Sequence, residues 1–252
     1  MSDKIALVTG GGKRLGAKIA RALAEDGWHV IIHYNSSGTQ ARAIEAAIRE
    51  AGGSASTVLF DLADSAGVDA FAAGLGRIDL LVNSASVFEM DRPETVTTAE
   101  LDQAMRVNLM APVLLASAVA RQHEGRASGC IINMLDQKLY NLNPDFFSYT
   151  LAKHALLGAT TTMAMAFAPR VRVNGIAPGL TLPSGGQSAA EFERAHALNP
   201  MQGGSTPDDI VRTVRFILAT PSMTGETIII DGGQHLDARN GDVMYAAGVP
   251  EE

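Results

Sequence analysis

The sequence has a single cysteine, Cys130, in 252 residues, so no internal disulfide can staple it. Its apolar runs, such as Ala155–Leu157 and Ile228–Ile230, are interrupted far short of the roughly 20 residues that cross a bilayer, which predicts no membrane partner. Positive charge is also in short supply. Lys and Arg number 20 against 27 Asp and Glu, a net charge of −7, which lacks the overall field of nucleic-acid binders. Met1 to Leu7 has neither the basic start nor the apolar core of a secretion signal, and with the lone cysteine this predicts a cytoplasmic location. Cys130 sits in the apolar segment Cys130-Ile131-Ile132 with no nearby His, and reads as a buried small hydrophobe rather than a nucleophile. No internal repeat, low-complexity tract or Pro/Ser-rich linker divides the chain.

What is present is globular. Hydrophobic residues make up 46% and charged residues 19%, far from the composition of disorder. A length of 252 residues fits one large domain, since α/β folds often reach about 250 residues as a unit. Short β-branched runs alternate with stretches of helical period. Ile5–Thr9 is followed by Leu15, Ile19 and Leu23, and Val30–His33 by a helix carrying Ile44 and Ile48. Strands follow near Thr57–Phe60, Leu80–Asn83, Cys130–Met134, Val171–Ile176 and Thr227–Ile230. Thr97-Thr98-Ala99-Glu100 reads as a capping box, Tyr149–Phe167 as a helix, and Thr206-Pro207-Asp208-Asp209 as a capped, proline-started helix. Parallel strands need crossover helices, so the pattern predicts an α/β, doubly wound, parallel seven-stranded sheet covered on both faces. The domain should span 1–236, with 177–205 serving as a substrate loop or lid. Residues 237–252 form a tail that is either disordered or reaches a neighbouring subunit's pocket.

Thr9-Gly10-Gly11-Gly12-Lys13-Arg14-Leu15-Gly16 lies between the first strand and the first helix, where glycines let a diphosphate approach the helix N-terminus. In nicotinamide-binding folds of this layout, a carboxylate at the end of the second strand holds the ribose 2′-hydroxyl and would repel a 2′-phosphate. Here that strand ends in His33-Tyr34-Asn35-Ser36-Ser37, with no carboxylate. Lys13 and Arg14 bring cations, and Ser36 and Ser37 bring hydroxyl donors, so NADPH is expected over NADH. Asp61, after the third strand, either meets the adenine ring or caps the following turn.

Tyr149 and Lys153 stand one helical turn apart on the same face. An ammonium beside a phenol stabilises the phenolate, which predicts a tyrosine hydroxyl drawn toward neutral pH. Asp136 closes the fifth strand and Asn108 lies in the preceding helix, at the strand ends where open α/β sheets bind ligands.

The glycine turn, Asn83-Ser84-Ala85, Asn108, Tyr149-x-x-x-Lys153, Pro178-Gly179 and Asp231-Gly232-Gly233 occur in the order and spacing of the short-chain dehydrogenase/reductase family, which the chain resembles from Lys4 to about Leu236. The resemblance implies a Rossmann fold, a nicotinamide cofactor, commonly a homotetramer, and catalytic roles for Asn108, Tyr149 and Lys153. It also implies a cofactor site of Gly10, Lys13, Arg14, Leu15, His33, Tyr34, Asn35, Ser36, Ser37, Asp61, Leu62, Asn83, Ala85, Tyr149, Lys153, Pro178 and Gly179. Three departures narrow it: Arg14 replaces a usual glycine, Asp136 stands where most members have a serine, and Ser86 replaces a glycine. Together with Asn83-x-Ala85-Ser86-x-Phe88 and Asn133-Met134-x-Asp136, they resemble the pteridine reductase branch and its dihydromonapterin reductases. That branch implies reduction of a dihydropterin, with Arg14, Ser86, Phe88, Asp136, Tyr149 and Thr181 around the substrate and Phe88 stacked on the flat ring. Two other readings stand beside it: a carbonyl or 3-oxoacyl reductase of the same family, and a non-catalytic NADPH-binding regulator.

Overall fold

The computed structural model describes residues 4–125, 129–184 and 187–246. Residues 1–3, 185–186 in the expected substrate loop and 247–252 of the expected tail therefore lie outside the described residues. The strands are β1 (Ile5–Val8), β2 (His29–Tyr34), β3 (Ser54–Leu59), β4 (Leu80–Asn83), β5 (Gly129–Met134), β6 (Val171–Pro178) and β7 (Thr227–Ile230). They form one parallel sheet in the order β3-β2-β1-β4-β5-β6-β7. The helices are α1 (Arg14–Glu25), α2 (Gly38–Glu50), α3 (Val68–Gly74), α4 (Thr98–Met105), α5 (Ala111–Gln122), α6 (Phe147–Phe167), α7 (Ala189–Ala197), α8 (Pro207–Ala219) and the short α9 (Val243–Ala246). The doubly wound Rossmann arrangement read from the sequence is the one observed.

Successive strand residues face opposite ways, and the core divides accordingly. Ala6, Val8, Val30 and Ile32 pack under Ile19 and Leu23 of α1, Ile48 of α2, and Ile210 and Val214 of α8. Leu7, Ile31, Leu81 and Ile131 pack on the other face against Leu115 and Val119 of α5 and Met163 of α6. Each of the Val, Leu, Ile and Met side chains among these contributes about 1.5–3 kcal/mol through burial. Because β1 neighbours both β2 and β4, the chain winds outward in both directions from this pair and opens a crevice at their C-terminal ends.

The helix starts follow side-chain chemistry. Thr97, Thr206 and Ser188 each form a capping box, with Glu100, Asp209 and Glu191 respectively. The last of these starts α7 inside the segment expected to be a loop, so 177–205 carries a helix of its own. Between α4 and α5 the helix widens into a π-helical turn, Arg106–Met110. The continuous run Thr98–Gln122 is long and apolar enough by length and composition to cross a membrane. It is a core helix here, with Leu115, Ala116 and Val119 fully buried against the sheet.

A polar ladder crosses the core behind the crevice. The Asn83 amide donates to Asn133 Oδ1 (2.8 Å), the Asn133 amide donates to Thr160 Oγ1 (2.9 Å), and the Thr160 hydroxyl donates to the Leu156 carbonyl (2.7 Å). Replacing Asn133→Ala strands a buried amide and should cost about 2 kcal/mol, lowering Tm by roughly 4–8 °C in a thermal melt. An unchanged Tm would show that the ladder adds nothing to stability.

Candidate active site

The crevice begins at the turn after β1. The Thr9 hydroxyl accepts the backbone N–H groups of Ser84 and Ala85, both at 3.0 Å, and so ties this turn to the end of β4. Gly10 has φ +65°, and a Cβ there would stand 2.9 Å from Ala85 Cα. A Cβ on Gly16 would stand 2.4 Å from the Gly10 carbonyl oxygen. Glycine is therefore required by geometry at both positions. Arg14 also has a left-handed backbone, φ +52°, which explains why a glycine is usual there. Its guanidinium reaches over the crevice to the Pro183 carbonyl (2.8 Å) and Ser184 Oγ (3.4 Å).

At the end of β2, His33 Nδ1 accepts the Gly10 N–H (3.2 Å), and Nε2 lies 3.0 Å from the Phe60 carbonyl, which fixes the ring proton on Nε2. Asp61 Oδ1 accepts the Ala63 N–H (3.0 Å) and the Asn35 amide (3.2 Å), so it caps its turn while also lining the crevice.

The crevice encloses about 700 Å³. One end is lined by Lys13, Tyr34, Asn35, Ser36, Ser37 and Leu62, with Gly10, Arg14, Leu15, His33 and Asp61 alongside. Ala85, Ser86, Phe88, Pro178, Gly179 and Thr181 continue its lining to Asp136, Tyr149 and Lys153. Asn83 and Asn108 do not line it. Asn83 belongs to the polar ladder, and Asn108, fully buried in the π-helical turn, brackets Val87 by accepting its N–H (2.9 Å) and donating to its carbonyl (2.8 Å). Both asparagines thus lie behind the crevice lining, with Asn108 fixing the backbone of one lining residue.

Asp136 follows β5. Its Oδ1 accepts the Lys138 N–H (2.8 Å) and its Oδ2 accepts the Tyr149 hydroxyl (2.7 Å). The start of α6 is arranged so that Tyr149 arrives there. Phe146 precedes the helix with a left-handed φ of +54°, and both Asp91 carboxylate oxygens accept the Ser148 N–H (3.1 and 3.2 Å). One turn on, Lys153 donates to the Met134 carbonyl (2.6 Å), its Nζ 5.5 Å from the Tyr149 ring centroid. Burial pushes the Asp136 carboxyl up from its usual range and the Lys153 ammonium down to about 8. The expected lowering of the Tyr149 hydroxyl by Lys153 is corrected by the structure. Removal from water and the adjoining Asp136 carboxylate push the phenol well above its usual range, so Tyr149 keeps its proton and donates a hydrogen bond to Asp136.

Phe88, 37% exposed, stacks on Phe146 with ring centroids 3.9 Å apart and meets Tyr149 edge-on at 4.7 Å. The Thr181 hydroxyl donates to the Gly179 carbonyl (2.8 Å) and lies 2.6 Å from Ser205 Oγ. Cys130 is buried, its thiol pushed up to about 11, in keeping with an inert core residue. Among the described residues no group of three or more His, Cys, Asp or Glu is placed to hold a metal. Lining residues that the sequence reading passed over include Gln103, Gln137, Gln234, Asp242, Val243 and Met244. The last three sit beyond every recognisable motif, and only the folded path of the chain reveals them.

The residues 4–194 match the family model for short chain dehydrogenases, and the chain belongs to that family of oxidoreductases. An uncharacterised oxidoreductase of Methylorubrum extorquens is 36% identical over 245 residues, covering 92% of this chain and 98% of that protein. The D-threitol dehydrogenase of Mycolicibacterium smegmatis is 32% identical over 244 residues, covering 92% and 93%. The crystal structure of FolM alternative dihydrofolate reductase 1 from Brucella canis, complexed with NADP, is 42% identical with a TM-score of 0.89, covering 94% of this chain and 96% of that one.

His33 yields a pH prediction. Burial lowers its imidazole to about 4 from the ordinary 6.5. Between these values the unfolded chain binds the extra proton, so stability is unaffected above pH 6.5 and falls as pH drops from 6.5 toward 4, by about 3 kcal/mol in all. Denaturant titrations across that range should show this part of the slope in the wild type and not in His33→Asn. Equal slopes would remove His33 as its source.

Proposed function

We propose that the chain is an NADPH-dependent reductase that adds hydride and a proton across a C=N bond of a dihydropterin, giving the tetrahydropterin. The observation that carries this reading is the 2.7 Å hydrogen bond between the Tyr149 hydroxyl and Asp136, a carboxyl where a serine is usual. A serine hydroxyl suits a carbonyl oxygen. A ring nitrogen that must gain a proton is better served by an acid, and burial already biases Asp136 toward its protonated form. In its ionised form the same group would oppose the alkoxide that develops in ketone reduction, so only the protonated form serves either reaction.

The residues present fit a nicotinamide dinucleotide. Gly10 and Gly16 leave the backbone free where a Cβ would collide. No carboxylate ends β2, and Lys13, Arg14, Ser36 and Ser37 supply cations and hydroxyls for a 2′-phosphate. The Brucella relative, whose crystals contain NADP, supports the same choice. When bound, NADPH supplies the hydride. Lys153 holds the nicotinamide ribose with its ammonium, Phe88 stacks on the flat pterin, and Ser86, Thr181 and Arg14 surround it. The proton reaches the substrate nitrogen from the Tyr149 hydroxyl, and Asp136 restores it over their shared hydrogen bond. Asn108 acts through Val87 rather than at the reacting atoms. The working form in this reading is a homotetramer.

The test is loss of NADPH absorbance with dihydromonapterin or dihydrobiopterin in one cuvette and a 3-oxoacyl thioester in another. Turnover of the pterins is expected, and turnover of the thioester alone would replace this reading with a general carbonyl reductase. Asp136→Ser should lower kcat on dihydropterin by about a hundredfold or more with NADPH affinity retained. Undiminished turnover would end the proton-donor role.

A further inference from the structure

The segment after β7 folds back onto the crevice of its own chain. Lys138, two residues past Asp136, is 1% exposed, although a buried ammonium is costly unless paired. It meets the Asp242 carboxylate at 3.2 Å, donates to the Asn143 side chain, and lies 5.6 Å from the Phe146 ring centroid. The Asp242 N–H donates to Asp145 Oδ2 (2.8 Å), and buried Asp145 is itself paired with Arg92 at 3.0 Å. Asp242 Oδ1 then accepts the Met244 N–H (3.1 Å), at the start of α9. Val243 and Met244 are buried and line the crevice, and Met244 packs with Phe146, Tyr149 and Met90. A buried ion pair adds little to stability compared with apolar packing, but it fixes register, because any slip strands a charge.

We propose that Met244 and Val243 are substrate-specificity residues, set in place by the Lys138–Asp242 pair, so that the chain's own C-terminal segment reads the side chain of the ring that stacks on Phe88. This rests on the dihydropterin reading. Methionine suits the role, since its flexible thioether moulds to an apolar or mixed surface.

The first measurement needs no substrate. Hydrogen exchange of residues 237–246 should accelerate about tenfold or more in Lys138→Met and in Asp242→Asn, and unchanged protection in both would overturn the tether. The second compares kcat/KM for dihydrobiopterin and dihydrofolate, which differ in the side chain on the pterin. Met244→Ala should move their ratio by about tenfold while the Kd for NADPH stays within about twofold. A merely structural role lowers both substrates alike, so an unmoved ratio would overturn the proposal. If the wild type reduces 3-oxoacyl thioesters and no dihydropterin, the function reading falls by itself. The same ratio, taken between short and long acyl chains, then decides the role of Met244.

Discussion

The Asp136 carboxyl is partly withdrawn from water at the crevice wall, and there it is held by hydrogen-bond donors of the protein itself. One donor is the backbone of Lys138 and the other is the hydroxyl of Tyr149. Supplying the second requires α6 to start at one particular point, which in turn calls for the left-handed Phe146 and for the Asp91 carboxylate that satisfies Ser148. The charges around Asp136 then alternate in sign. Lys153 and Lys138 lie beside it, Asp242 answers Lys138, and Arg92 answers Asp145. Buried Lys138 and Asp145 are bearable because Asp242 and Arg92 face them, and the aromatic pair Phe88 and Phe146 stacks at the same corner.

The parts legible in the sequence are those governed by local rules. Alternation of β-branched runs with helical periods, the Thr97 and Thr206 caps, and the glycine turn all depend on neighbours within a few positions, and all stand where the spacing predicts. The Ser188 cap obeys the same rule and was readable, yet the prolines and glycines around it made the segment look like loop throughout. The spacing of Tyr149 and Lys153 was legible too, but the direction of the phenol's shift was not. Spacing reports which charges are near and is silent on how much water is removed, and here burial and Asp136 set the direction of the shift. The positions of Asn83 and Asn108 behind the crevice lining, and of Met244 within it, depend on contacts between residues far apart in the chain.

Arg14 shows a local rule set aside. A left-handed backbone at a residue with a Cβ costs about 1–2 kcal/mol, and a glycine would avoid it. The arginine instead joins the glycine turn after β1 to Pro183 and Ser184, on the opposite bank of the crevice. Rigid strand ends and the segment that covers them are thereby connected through a single side chain. Strain of this kind is characteristic of sites where the surroundings over-determine the conformation.

The π-helical turn Arg106–Met110 has a bearing on how this chain tolerates insertion and deletion. Such a turn amounts to one surplus residue in an otherwise α-helical run. Removing one of these residues other than Asn108 would let the helix close into regular α geometry with α4 and α5 undisturbed in their own packing. The side chains within the turn would, however, change direction, because the surplus residue is what sets them. Asn108 would swing off Val87, while the fold kept its shape. A single-codon loss here would leave a well-folded protein with a loosened crevice, which sets this stretch apart from surface loops, where length changes are ordinarily silent.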